Sequence, residues 1–341
     1  MAPRRARQPL PTHNPLQLGA RRLSDVEEFR NLFGRWNGEF RQLSRGKFDG
    51  VIHVAAGGLL RAFHAETNQA VLTRGSDSAS FVTFIPITPR NEATVWQGRR
   101  LSTGQLIVKS PEVEYDNLTG RDTVIHSLLV PEQALRQAAR VLTGREVGAD
   151  INSWVAIRPS PERMRQFERG LATLLAASVG STGALATPHS PTLEIECLRR
   201  LIDVLVDRAT GAAMPRCAGS RSMLVKRAVS FMHDRLDRPL SALELCAELG
   251  VSDRMLRRAF QEAFGLGPLA YFRVMRLHAV RAALKSARGG DESVVRLARH
   301  WGFNRLGSFA AEYQRQFGEL PSETLGVRGW PGVQQMTQLR I

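Results

Sequence analysis

Cysteine is scarce. The chain carries three in 341 residues, Cys197, Cys217 and Cys246, with no CxxC pair and no histidines beside them at zinc-ligand spacing. That pattern speaks against a zinc ribbon or a disulfide scaffold and suits free thiols in a reducing cytosol. Long apolar runs are missing as well. No segment has the ~18 apolar residues of a membrane span, and the opening MAPRRARQPLPTHNP lacks the apolar centre of a signal peptide. The expectation is a cytoplasmic protein with no membrane contact. Catalytic signatures are also absent: there is no P-loop, GxSxG or HExxH. His53, His64 and His126 fall on candidate strands without the close HxH pair of a metal-binding cupin. An enzyme is therefore not expected, nor a metal or cofactor. Acidic residues, finally, are outnumbered: 32 Asp and Glu face 47 Lys and Arg, a formal charge of +15. Such a balance points to a polyanionic partner.

What is present divides into two parts. The length suggests two domains, and 43% hydrophobic residues suffice for buried cores. Residues 1–20 read as a flexible basic tail. From Phe48 to Val130, short β-branched and apolar runs such as VIHVAAGGLL, SFVTFIPI and TVIHSLLV alternate with turn residues, as in a small barrel or sandwich. Pro131 opens a predicted helix that Gly144 closes, and two more are predicted over 161–178 and 191–210. On the last, Leu198, Leu201, Ile202 and Leu205 form an apolar stripe that serves either internal packing or a dimer seam. The Gly-, Ala- and Ser-rich stretch ATGAAMPRCAGSRS then reads as a linker, set at 211–221. The predicted architecture is α+β: a β-rich sensor or dimerisation domain with following helices over 21–210, an all-α domain over 222–327, and a tail over 328–341.

Within the all-α part a pattern repeats. LCAELGVSDRMLRRAFQEAFG at 245–265 lies on LARHWGFNRLGSFAAEYQRQFG at 297–318, pairing Leu245 with Leu297, Cys246 with Ala298, Gly250 with Gly302, Phe260 with Tyr313 and Phe264 with Phe317. The offset grows by one after the glycines, so the second turn holds one extra residue. Each unit reads as a helix-turn-helix, over 241–265 and 293–318: a small residue where the helices cross, a glycine able to take positive φ at the turn, and Ser252 as an N-cap. Leu256, Phe260 and Phe264 face inward at four-residue spacing.

At about 100° per residue, Arg254, Arg257, Arg258 and Gln261 gather within an arc of roughly 100° on the opposite side. A wet, donor-rich face on the second helix of such a unit can bond guanine edges or grip phosphate in a major groove. An isolated helix of this kind would be an ordinary solvated basic face; the duplication favours DNA. The segment Leu269–Ser286 joining the repeats is a helix of about 27 Å, near the ~34 Å that separates successive major-groove faces. In the second unit Gly307, Ala310 and Ala311 replace the three arginines, so its contribution is expected from Asn304, Arg305, Ser308 and Gln314.

These residues resemble the C-terminal domain of AraC/XylS-type bacterial transcriptional regulators. PLSALELCAELGVSDRMLRRAFQEAFGLGPLAYFRVMRLHAVRAAL followed by LARHWGFNRLGSFAAEYQRQFGELPSETL matches that pattern nearly throughout, including the closing Phe317, Gly318, Pro321 and Ser322. The resemblance implies a seven-helix DNA-binding domain coupled to a domain that binds a small effector or dimerises. It implies double-stranded DNA and RNA polymerase as partners, a nucleoid-associated bacterial setting and a role in activation. Ser252, Arg254, Arg257, Arg258 and Gln261 match the first recognition helix. RQLSRGKFDG at 41–50 is similar to the branch containing ethanolamine-utilisation regulators, which hints at ethanolamine or a cobalamin as effector. Two other functions compete: a non-specific architectural DNA-binding protein, and a cupin-like enzyme domain fused to a DNA-binding module.

Overall fold

The computed structural model describes residues 17–32, 36–56, 60–77, 81–111, 113–144, 154–179, 191–206, 214–215, 220–287 and 293–326. The predicted C-terminal tail and most of the predicted N-terminal tail lie outside them.

The N-terminal domain is a sandwich of two antiparallel sheets backed by helices. Strands β1 (Gln17–Leu23), β2 (Trp36–Gln42), β3 (Gly50–Ala56), β4 (Arg61–Thr67), β5 (Val71–Asp77) and β6 (Phe81–Pro86) are followed by β7 (Val95–Trp96), β8 (Arg99–Arg100), β9 (Leu106–Lys109), β10 (Tyr115–Leu118), β11 (Thr123–Pro131), β12 (Trp154–Ile157) and β13 (Met214–Pro215). Among the described residues the larger sheet runs β1-β3-β4-β11-β6-β9-β12-β13 and the smaller β2-β5-β10-β7-β8. Between them lie Leu23, Phe48, Ile52, Phe63 and Val71, together with the short helix α1 (Glu28–Leu32). A second cluster, with Trp96 stacked on Tyr115 at 5.1 Å, fills the other end. The outer face of the larger sheet is covered by α2 (Glu132–Thr143), α3 (Pro161–Val179) and α4 (Pro191–Val206).

Several expectations change here. Leu198, Leu201, Ile202 and Leu205, offered as a dimer seam, are buried among α2, α3 and the sheet, with Leu201 and Ile202 fully inaccessible. The stripe is consumed by its own domain, since a sheet with two apolar faces needs a helical cover on one of them. Pro131 is the last residue of β11 and the N-cap of α2 rather than a helical residue, although Gly144 closes that helix in the left-handed region as expected. Residues 17–20, assigned to the tail, pair with β3. Inside the predicted linker, Met214 and Pro215 add an edge strand beside β12.

The C-terminal domain consists, among the described residues, of seven helices: α5 (Ser220–His233), α6 (Ala242–Leu249), α7 (Asp253–Phe264), α8 (Pro268–Ser286), α9 (Val294–His300), α10 (Leu306–Phe317) and α11 (Pro321–Gly326). Local chemistry sets their ends. Ser241 accepts the Glu244 N–H while the Glu244 carboxylate accepts the Ser241 N–H, a reciprocal cap that starts α6. Pro268 sits in the first turn of α8, where its missing N–H costs nothing. One face of α8 serves each repeat: Tyr271, Phe272 and Met275 join the core of α5–α7, whereas Leu277, Val280 and Leu284 join that of α9 and α10.

The two domains are packed together. The outward face of the smaller sheet supplies Leu72, and the strand end after β2 supplies Leu43, to the core of α5–α7. The Gln42 carbonyl accepts from His278 Nε2 at 2.9 Å and from Gln316 Nε2 at 3.0 Å, and its own amide donates to the Gln316 carbonyl at 2.9 Å. Nearby, the buried Asp25 carboxylate meets Arg281 at 2.6 Å and also Lys285.

Candidate nucleic-acid interface

The first unit is built from α6 and α7. Gly250, at φ +67°, ends α6, and Ser252 accepts the Met255 N–H at 3.3 Å to start α7. Leu256, Ala259, Phe260, Ala263 and Phe264 are buried, so the rest of α7 is turned outward. Ser252, Arg254, Arg257, Arg258 and Gln261 are all exposed on that outward side, as the periodicity expects. Ser252 thus accepts one bond from the helix and keeps its hydroxyl proton and a second lone pair for a ligand.

The arginines are not equivalent. Arg257 donates to Asp253 at 2.6 Å and Arg258 to Glu262 at 2.8 Å, both one helical turn away. Arg254 has no ion pair among the described residues. Exposed pairs of this kind are screened by solvent and weak, so a phosphate or base edge can displace either carboxylate. Asp253 and Glu262 were legible as i, i+4 partners of the arginines but carry no ligand chemistry of their own. Met255, half exposed beside Arg254, is an apolar group on the same edge of the helix that periodicity assigned to neither face.

The second unit differs at its turn. Gly302, at φ +76°, is followed by Phe303, Asn304 and the N-cap Arg305, one residue more than between Gly250 and Ser252. The extra residue found by alignment is therefore in the turn, and the repeat survives around it: Val251 N–H bonds to the Cys246 carbonyl as Phe303 N–H bonds to that of Ala298. Asn304, Arg305, Ser308 and Gln314 are exposed, as are Gly307 and Ala311. Ser308 donates its hydroxyl to the Arg305 carbonyl at 2.9 Å, which leaves it only as an acceptor. No side chain caps α10, so its first-turn N–H groups are open to an anion.

Side chains on α8 hold the second unit in place. Arg273 grips Glu312 of α10 through two bonds of 2.5 and 2.7 Å. Arg276 donates to the Trp301 carbonyl at 2.6 Å and lies over the Phe303 ring. Sequence reading missed both arginines, because their partners lie 25 or more residues away.

The histidines of the sandwich are not scattered. Register places His53, His64 and His126 side by side on β3, β4 and β11, with His126 Nε2 2.8 Å from His64 Nδ1. Burial, followed by the neighbouring His64, holds His53 and His126 below the usual imidazole range. Among the described residues no three His, Cys, Asp or Glu side chains are grouped to hold a metal, and no helix is long and apolar enough to cross a membrane.

Residues 245–326 match the family described as Helix-turn-helix domain. The chain is 31% identical over 152 residues to the probable thc operon regulatory protein of Rhodococcus erythropolis, covering 44% of this chain and 46% of that protein. It is 39% identical over 103 residues to XylDLEGF operon transcriptional activator 2 of Pseudomonas putida, covering 30% of this chain and 65% of that protein. The chain thus spans less than two thirds of either relative. Among solved structures it is similar to a probable AraC family transcriptional regulator from Rhodopseudomonas palustris, at 33% identity and a TM-score of 0.29, covering 30% of this chain and 94% of the other.

Proposed function

We propose that this chain, whose C-terminal domain is an AraC/XylS-type helix-turn-helix domain, is a sequence-specific transcriptional regulator that binds double-stranded DNA. The observation that carries the reading is the outward face of α7: three exposed arginines and Gln261 stand opposite a fully packed inner face. A major groove admits one α-helix, and arginine's planar fork matches guanine O6 and N7. The second unit contributes position. Its alanine and glycine face lets the backbone come close, and the open N-terminus of α10 with Arg305 suits a phosphate. The rod α8, 19 residues and so about 28 Å long, packs against both units, which suits two readers on one side of the duplex.

The rest of the chain acts as the regulatory half. A sandwich packed directly against both helix-turn-helices can bias their arrangement in response to a small effector or to a second copy of the chain. Both relatives named above are operon regulators, one of them called an activator. That supports activation through RNA polymerase in a bacterial cytoplasm, with no catalysis.

The test is selection of genomic fragments by the full chain, followed by affinity measurements on the recovered site and on scrambled DNA at one salt concentration. A ratio of about 10³ or more supports a specific regulator. A ratio near one, with steep salt dependence, favours an architectural protein.

A further inference from the structure

Between the smaller sheet and α5 lies a cavity of about 540 Å³. Both domains build it. The sheet's outward face contributes Glu39 and Arg41 from β2, Arg74 from β5 and Asp116 from β10, while α5 contributes Lys226, Ser230 and His233 along one stripe. Among the described residues its lining holds one aliphatic side chain, Val229, and the ring of Tyr115. The same interface is apolar at Leu43, Leu72 and Val225.

Among the described residues Arg30, Arg41, Arg74 and Lys226 face Glu39, Glu114 and Asp116 around it, an excess of one positive charge. Arg41 holds Glu39 at 2.8 Å and Arg74 holds Asp116 at 2.5 Å, so these two carboxylates are already engaged. Lys226 has no ion pair among the described residues. Behind this wall Arg74 Nη2 and His233 Nε2 are closed off from solvent and have no hydrogen-bond partner among the described residues. His233 Nε2 comes no nearer than 4.0 Å to Glu39. An ammonium without an ion pair on the wall of a roomy pocket with an excess of positive charge suits an anion from outside the chain.

We propose that this cavity binds a compact, hydrophilic anion whose carboxylate or phosphate group bridges Lys226 and His233 of the DNA-binding domain to Arg41 and Arg74 of the sandwich. Arginine and lysine bind such oxyanions with charge-assisted bonds, and the scarcity of aliphatic lining disfavours a long acyl chain. The occupant ties α5, the first helix of the DNA-binding domain, to the sheet behind it. That such an anion would act as an effector rests on the chain being a regulator; that it binds does not.

The experiment is thermal melting of the full chain in sodium chloride, with inorganic phosphate, succinate or octanoate replacing part of the salt at equal ionic strength. Phosphate or succinate at about 10 mM should raise the Tm by about 4 °C or more. The larger of the two rises assigns the oxyanion as phosphate or carboxylate. Lys226→Ala should weaken the responding anion about tenfold or more, whereas Arg254→Ala/Arg257→Ala, altered only on the exposed face of α7, should keep the full rise. Should Lys226→Ala melt abnormally in chloride alone, Lys226→Gln supplies the same comparison. No rise with phosphate or succinate, a rise that Lys226→Ala retains, or a larger rise with octanoate overturns the assignment. A chain that fails to select DNA would leave all of these readings intact.

Discussion

His278, on the helix that joins the two helix-turn-helices, donates its Nε2 proton to the Gln42 main-chain carbonyl of the sandwich, 2.9 Å away. The imidazole is fully buried, and its Nδ1 has no partner among the described residues. Burial, reinforced by the nearby Arg41, pushes its pKa well below the ordinary histidine value. The ring is therefore neutral in the folded chain.

Stability should accordingly fall on acidification from about pH 6.5, where the unfolded chain takes up a proton that folded His278 refuses. The loss continues until pH reaches the depressed folded pKa and is absent above pH 7. Its slope is about 1.4 kcal/mol per pH unit for each such histidine. His53, His126 and His233 are shifted in the same direction and add to it. Urea unfolding at pH 7.5 and 5.5 measures the slope, and His278→Gln should flatten it by about one proton. An unchanged slope in that variant would show that His278 is not the titrating group.

Asp25 should be the most costly single contact between the domains. Its carboxylate is 4% exposed and lies 2.6 Å from Arg281, itself 8% exposed. Arg281 and the nearby Lys285 hold the acid below the usual carboxylate range against the cost of burial. Asp25→Ala leaves the buried Arg281 and the partly buried Lys285 short of a counter-charge, a loss of about 3–5 kcal/mol in denaturant unfolding. A loss below about 1 kcal/mol would mean that Glu319 and Glu27 already neutralise the pair.

Arg254→Ala should weaken binding to the selected DNA site by about 1–3 kcal/mol and relax the preference at particular base pairs. Arg257→Ala and Arg258→Ala should cost less, because each of those arginines must first leave a carboxylate. The assay is binding to single-base variants of the site at fixed salt. If the arginine variants keep the wild-type base profile and Ala310 or Ala311 variants change it, base reading belongs to α10.

Gly302→Ala should destabilise more than Gly250→Ala, although the two are equivalent by repeat. Both take positive φ, which costs an alanine about 1–2 kcal/mol. A Cβ at Gly250 meets nothing within 4 Å, whereas at Gly302 it would lie 1.3 Å from Arg276 Nη2. The excess should disappear in an Arg276→Ala background, and a double-mutant cycle on melting stability reads it directly. Equal costs at both glycines would show that Arg276 moves aside freely.

Most of the DNA-facing half was legible in the sequence: the cap at Ser252, the duplicated turn, the helix joining the repeats and the arginine face of α7. All of these follow from spacings of a few residues, and helical periodicity decides which side chains share a face. The sequence determined the β-rich character of the other half but missed β1, β2, β12 and β13. In β2, Glu39 and Arg41 alternate with Phe40, because that strand turns its second face to another domain and not to a core. Tertiary structure alone decided the rest. It turned the stripe of α4 inward, aligned His53, His64 and His126 across three strands, and docked the smaller sheet on α5, α7 and α8. Gln42 and His278 are 236 residues apart in the chain. Contacts of that separation depend on strand register and on the complementarity of two folded surfaces, and no local pattern encodes either.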